Sequence, residues 1–281
     1  MKTKILFLIL GTFFLFSCSA SDSATTLDAT KEQMLTNVSY GSSNQQKFDL
    51  YLPANRTTET TKTIILIHGG GWVEGDKADM SYLIDIIKQN LPGYAVANIN
   101  YRLATTGNPA LPMQTDDITS VIAKLKNENY SISNKYGFIG VSAGAHLSML
   151  YGYAYNMNNE IKMVASIVGP TNFADTNYTN NPIYNDYYTN LAGQSYTDNP
   201  TLFQQASPYW RATATSPPTI LFYGNADPLV PITQGQEMHA KLDALGVYNE
   251  FTLYNGGHGD WSTADQLDAY TKLVAFIANK F

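Results

Sequence analysis

From about Lys47 the chain alternates short β-branched or aromatic runs with segments of helical spacing. The runs Lys47–Leu52, Thr63–His68, Ala95–Asn100, Tyr136–Val141, Met163–Val168, Thr219–Tyr223 and Glu250–Tyr254 read as strands. Between them, Ile118, Val121, Ile122 and Leu125 recur at helical spacing, as do Leu267, Tyr270, Val274 and Ile277 near the end. Gly93 and Gly246 stand where helices would stop. Such alternation predicts an α/β body, a mostly parallel sheet with helices on both faces. There is no internal repeat at a fixed period.

The rhythm fails twice. Residues from about 171 to 218 are rich in Asn, Thr and Tyr and poor in aliphatic residues, which reads as a lid-like insertion or a surface excursion packed on its own tyrosines. At the start, Lys2 and Lys4 precede the apolar run Ile5–Phe16 and Ser17-Cys18. Twelve residues are too few for a comfortable bilayer-spanning helix, which needs about 20. The run suits an export signal over residues 1–17, and Leu15-Phe16-Ser17-Cys18 resembles the lipobox of bacterial lipoproteins. Cys18 is then the lipidated residue, and 18–35 a polar tether to a body spanning 36–281. The expected location is the cell envelope, with the membrane reached only through that anchor.

Only 14% of the 281 residues are charged, and the formal charge is -6. That balance offers no electrostatic reason to expect nucleic acid or an anionic membrane surface as partner. Apolar content of 44% is ample for a core, so disorder is excluded. With one cysteine, no disulfide forms within the chain and the core must hold the fold unaided.

Candidate chemistry falls at the ends of the expected strands. Gly140-Val141-Ser142-Ala143-Gly144 follows one strand and precedes a helical pattern, the context a G-x-S-x-G elbow needs. Such a turn exposes the serine hydroxyl and aims a helix N-terminus at the reaction centre. His68-Gly69-Gly70-Gly71-Trp72 follows another strand, and its glycines let main-chain N–H groups approach a ligand closely. An oxyanion would take donors from Gly70, Gly71 and Ala143, with Trp72 as the alternative to Gly70.

A serine nucleophile needs an imidazole to accept its proton and a carboxylate to orient that imidazole. His68 belongs to the glycine loop, where it more readily braces than titrates. His146 lies on the helix leaving the elbow, and His239 sits inside an amphipathic segment with no strand end near it. His258, in the flexible run Asn255-Gly256-Gly257-His258-Gly259, remains. For the acid, Asp116 and Asp117 precede the elbow on a helix and Asp260 is too near His258, leaving Asp227 in the turn after Thr219–Tyr223. One loop histidine and no cysteine pair offer no zinc set, and the chemistry requires no metal or cofactor.

With these residues in hand, the chain resembles the α/β-hydrolase superfamily, and within it the small esterases with an H-G-G-G-W loop. These include acetyl- and feruloyl-esterase-like enzymes and relatives of the hormone-sensitive-lipase group. The resemblance runs from about Lys47 to Phe281 and includes Gly75-Asp76-Lys77, Asn100-Tyr101-Arg102-Leu103 and Asp227-Pro228-Leu229-Val230-Pro231. It departs at Tyr223, where histidine is common, at Ala145, where a second glycine often follows, and in lacking a long N-terminal cap. The resemblance implies an α/β-hydrolase fold with catalytic Ser142, Asp227 and His258. It implies a carboxylic-ester hydrolase acting through an acyl-enzyme on short-chain or carbohydrate-linked acetyl or feruloyl esters. Tyr178, Tyr184, Tyr187, Tyr188, Tyr209 and Trp210 would then form a sugar-stacking wall, or simply pack the insertion. The competing readings are a serine peptidase of the prolyl-oligopeptidase type and a surface lipoprotein that binds glycans without catalysis.

Overall fold

The structure, a computed structural model, describes residues 27–281. The export signal and Cys18 lie outside the described residues. Eight strands form one sheet: β1 (Gln33–Ser39), β2 (Lys47–Leu52), β3 (Thr63–Ile67), β4 (Ala95–Ile99), β5 (Tyr136–Val141), β6 (Ile161–Ile167), β7 (Thr219–Gly224) and β8 (Asn249–Tyr254). Their spatial order is β1-β2-β4-β3-β5-β6-β7-β8. The β1–β2 and β2–β4 pairs are antiparallel and the other five pairs parallel. The helices are α1 (Ser81–Asn90), α2 (Met113–Asn127), α3 (Ala143–Ala154), α4 (Thr176–Thr179), α5 (Asn185–Ala192), α6 (Pro200–Ala206), α7 (Pro208–Arg211), α8 (Ile232–Ala244) and α9 (Thr263–Lys280).

The central strands are apolar throughout, because helices cover both faces. Ile65 and Ile67 pack with Ile118, Val121 and Leu147 on one side, beneath α2 and α3. Ile64 and Leu66 pack with Leu83, Ile87, Leu273 and Phe276 on the other, beneath α1 and α9. Successive side chains of a strand face opposite ways, so neighbouring residues of β3 serve different cores. Among the described residues no helix is long and apolar enough to cross a membrane.

Two boundaries differ from the expectation. β1 begins at Gln33, inside the stretch 18–35 read as a tether. It is an edge strand with most side chains exposed or half-exposed and a bulge between Leu35 and Val38, so it lacks the apolar run that marks the inner strands. The body extends further back still: the Arg56 guanidinium donates to Lys31 O (2.7 Å) and to Gln33 Oε1 (2.9 Å). The second difference is the stretch 171–218, which is not irregular but holds α4 to α7. Phe173, Tyr178, Tyr188, Leu191 and Phe203 are its buried centre. It is tied to α8 through buried Gln234, whose Oε1 accepts from the amides of Thr171 and Asn172 (both 2.8 Å) and whose Nε2 donates to Asp175 (2.8 Å).

Candidate active site

Ser142 occupies the turn between β5 and α3 at φ 53°, ψ -119°. A non-glycine residue there is strained, and the surrounding packing enforces it. A Cβ on Gly144 would collide with the carbonyls of Ile67 and His68, and one on Gly140 with the Gly144 carbonyl. Glycine is therefore needed on both sides for the strand ends and the helix start to close on each other. The Ser142 amide donates to Ile167 O at the end of β6 (2.8 Å), which locks the turn to the sheet.

The ends of β7 and β8 supply the facing groups. Ser142 Oγ lies 2.8 Å from His258 Nε2, and His258 Nδ1 lies 2.7 Å from Asp227 Oδ2. The Asp227 side chain is fully buried while His258 is 20% exposed, so the imidazole meets the cleft and the carboxylate does not. Burying a carboxylate is costly unless its oxygens are satisfied. Here Oδ1 accepts from the amides of Leu229 (2.8 Å) and Val230 (2.9 Å), leaving Oδ2 for the imidazole. Asp260, passed over as the acid, braces the histidine loop by accepting from the Gly257 amide (2.7 Å).

The glycine loop faces Ser142 across the cleft. Gly70, Gly71 and Trp72 all have positive φ (106°, 56° and 67°). Among the described residues, no acceptor meets the main-chain N–H of Gly70, Gly71, Trp72 or Ala143. The loop is held from behind. Buried His68 sits with Nδ1 2.7 Å from Gly69 O and its ring stacked 4.2 Å from Tyr101, whose hydroxyl donates to His68 O (2.8 Å). Burial lowers the His68 pKa and keeps the ring neutral. Trp72 Nε1 donates to His146 Nδ1 (3.2 Å), and His146 Nε2 donates to Ala206 O in the insertion (2.8 Å). Complete burial pushes the His146 pKa down to about 4.

The strand-end motif beyond β4 completes the support. Arg102 Nη2 and Nε reach Asp117 at 2.6 and 2.9 Å, and Gln114 Nε2 donates both to Trp72 O (2.7 Å) and to Arg102 O (2.9 Å). Lys77 pairs with Asp49 (2.7 Å), and Asn100 Nδ2 donates to Asp76 (2.8 Å). Asp117, Gln114 and Asp49 act on the loop from other elements, and only the Asn100-Tyr101-Arg102 and Asp76-Lys77 stretches gave a sequence signal for this scaffold.

The cleft above Ser142 has a volume of about 720 Å³. Its far wall comes from the insertion, through Tyr178, Tyr187 and Asn190. The expected tyrosine wall is narrower than its six members. Tyr178, Tyr184 and Tyr188 are all buried in the insertion, which leaves Tyr187 as the half-exposed member. Tyr209 and Trp210 turn elsewhere, the first beneath Lys241 and the second donating to Asn172 Oδ1 (3.1 Å). Asn190 gave no sequence signal at all. His239 lies beside Asn249 and Asp243 on the α8 side, apart from the serine. Among the described residues, no group of three or more His, Cys, Asp or Glu is arranged to hold a metal.

Comparison with known proteins agrees with this architecture. The BD-FAE family model matches residues 48–242. Over 239 residues the chain is 26% identical to Esterase LipC of Mycobacterium tuberculosis, covering 79% of this chain and 59% of that protein. Over 262 residues it is 24% identical to the isoprenylcysteine alpha-carbonyl methylesterase ICME of Arabidopsis thaliana, covering 84% and 59%. The chain thus spans 59% of the length of each of these curated relatives. Among solved structures, a truncated carbohydrate esterase from gut microbiota superposes with a TM-score of 0.70 at 22% identity, covering 89% of this chain and 99% of that one. At that identity the likeness shows a shared fold, the α/β-hydrolase fold.

Proposed function

The chain belongs to the BD-FAE family, and from that premise we propose that it is a serine carboxylic-ester hydrolase using Ser142, His258 and Asp227. The observation that carries the reading is one imidazole bridging a strained serine and a buried, fully satisfied carboxylate at 2.8 and 2.7 Å.

His258, held with Nδ1–H toward Asp227, accepts the Ser142 proton at Nε2 as Oγ attacks the ester carbonyl. The carbonyl oxygen becomes an oxyanion facing the N–H groups of the glycine loop and of Ala143. Gly70, Gly71 and Ala143 are assigned as its donors, with Trp72 as the alternative to Gly70, and each well-placed donor is worth about 3 to 4 kcal/mol. His258 returns the proton to the departing alcohol, and water then releases the acid by the same sequence.

The substrates proposed are short-chain or carbohydrate-linked esters. The likeness to the esterases LipC and ICME, and to the gut carbohydrate esterase that shares the fold, supports esters as the substrates. Tyr187, half-buried in the cleft wall, offers a ring face against which a sugar would pack. Export and lipidation at Cys18 belong to the same proposal, and radiolabelled palmitate incorporation lost in Cys18→Ala would test them.

The enzymatic reading is tested with p-nitrophenyl acetate. Hydrolysis by the wild type and its loss in a folded Ser142→Ala variant is the expected result; equal rates in the two would overturn the assignment.

A further inference from the structure

The fixed charges in the cleft above Ser142 are all of one sign. Glu74 and Asp79 belong to its lining, and no lysine or arginine does. The placement of Glu74 follows from the turn of the glycine loop. Gly70 O accepts from the amides of Val73 and Glu74 (both 3.0 Å), which folds the chain back on itself. A Cβ on Gly70 would lie 3.1 Å from Glu74 Cγ, so this side chain starts beside an assigned oxyanion donor. Among the described residues, no hydrogen-bond donor or cation meets the Glu74 carboxylate. Asp79 Oδ2 accepts from the Asp76 amide (3.0 Å), a neutral donor that leaves the charge in place. Lys77, between the two acids in sequence, is engaged by Asp49 (2.7 Å).

Negative charge is felt on both sides of the cleft. Burial lowers the His68 pKa behind the glycine loop, and the charges of Asp79 and Asp76 oppose that lowering. In the opposite wall, burial raises the Tyr187 hydroxyl and the Asp227 carboxylate raises it further. A cleft lined by one sign of charge between low-dielectric walls gathers ligands of the other sign and repels its own.

We propose that Glu74 is a specificity-determining residue that selects esters by charge, favouring those with a cationic group and turning away those with an anionic one. The inference rests on the esterase reading and adds to it the charge class of the substrate. For carbohydrate-linked esters, neutral or amino sugars are accepted and uronates disfavoured.

Two nearly isosteric pairs test this. Acetylcholine and neohexyl acetate place nitrogen or carbon at the same point of the alcohol. Butyrate and monosuccinate p-nitrophenyl esters end the acyl group in methyl or carboxylate. Glu74 is exposed, so Glu74→Gln and Glu74→Lys leave the core untouched. The reading is the ratio of kcat/KM, first member over second. Glu74→Gln lowers it by about threefold to fivefold in at least one pair, and Glu74→Lys lowers it further. At about 1 M salt the difference between wild type and Glu74→Gln disappears, since the screening length falls to about 3 Å. A purely structural role would change both members of a pair alike and ignore salt. Ratios that stay unchanged in both variants overturn the charge selection, while the esterase reading stands on the rates themselves. A wild type that hydrolyses none of the four discards the esterase reading instead. The same ratios are then read as dissociation constants by NMR titration, where dependence on Glu74 keeps the charge selection and its absence removes it.

Discussion

The indole N–H of Trp72 donates to Nδ1 of His146 at 3.2 Å, joining the glycine loop to the helix that leaves the serine turn. Since His146 Nε2–H in turn donates to Ala206 O, one neutral imidazole holds the loop, α3 and the insertion in mutual register. Trp72 itself stays at positive φ, a conformation that needs such anchoring. Trp72→Phe keeps the ring but removes the donor, leaving Nδ1 dry and unpaired at a cost of about 1 to 3 kcal/mol. The loop amides then lose their fixed aim. The expected outcome is a fall of about tenfold in kcat with a smaller change in KM, read from p-nitrophenyl acetate kinetics alongside thermal unfolding.

The same histidine makes stability depend on pH. Its folded pKa of about 4 lies below the ordinary imidazole value of 6.5, so between those limits the unfolded chain binds a proton that the folded chain refuses. Stability is therefore complete above pH 6.5 and falls as pH drops toward 4, by about 3 kcal/mol at most. Buried His68, whose pKa is also lowered, acts in the same direction. Urea unfolding at pH 7 and pH 4.5 measures the slope. His146→Gln, which cannot titrate, lowers the starting stability and flattens that slope; an unaltered slope would remove His146 as its source.

Residues that follow strand ends were readable in the chain, because a tight turn after an apolar run demands glycines and leaves a signature in one stretch. Ser142, Asp227 and His258 each stand in such a turn, and the structure brings their side chains into contact. Strand β1 was not readable: it is a half-exposed edge, and its place is set by pairing with β2 rather than by its own pattern. The insertion failed for another reason. Which of its tyrosines reach the cleft depends on how four short helices pack on Phe173 and Phe203, and short helices carry too few turns to show a face. Gln234, which ties that insertion to α8, looks like any exposed helix glutamine in sequence.

Asp117 shows how far the site depends on groups remote from Ser142. It is completely buried, receives the Arg102 guanidinium on both oxygens, and also accepts from the Arg102 amide (2.8 Å) and from Gln46 Nε2 (2.8 Å). Asp117→Ala leaves the Arg102 amide, Arg102 Nε and Gln46 Nε2 without that acceptor, and Arg102 Nη2 with only Met113 O at 3.4 Å. Removing one member of a buried pair costs about 3 to 5 kcal/mol, and partial exposure of Arg102 favours the lower end. At about 3 kcal/mol, the midpoint of thermal unfolding drops by roughly 6 to 12 °C in a body of this size. Activity at 25 °C falls less than stability, since Gln114 still holds Trp72 O.

Asp227→Asn tests the proposed proton relay without disturbing the packing. The Asn oxygen would keep the two main-chain donors, Leu229 and Val230, that Oδ1 now accepts from. Its NH₂ group would then face His258 Nδ1, where the carboxylate now accepts. A donor there forces Nδ1 to accept, so the ring proton moves to Nε2 and points at Ser142 Oγ. An imidazole in that tautomer cannot take the serine proton, and the imidazolium loses its counter-charge. The expected loss in kcat is about 10⁴-fold with an unfolding midpoint within a few degrees of wild type. The protonation state of His258, read by ¹⁵N NMR of the ring nitrogens, should show the proton on Nδ1 in the wild type and on Nε2 in the variant. A variant that retains wild-type kcat would remove Asp227 from the relay and return the choice of acid to its neighbours.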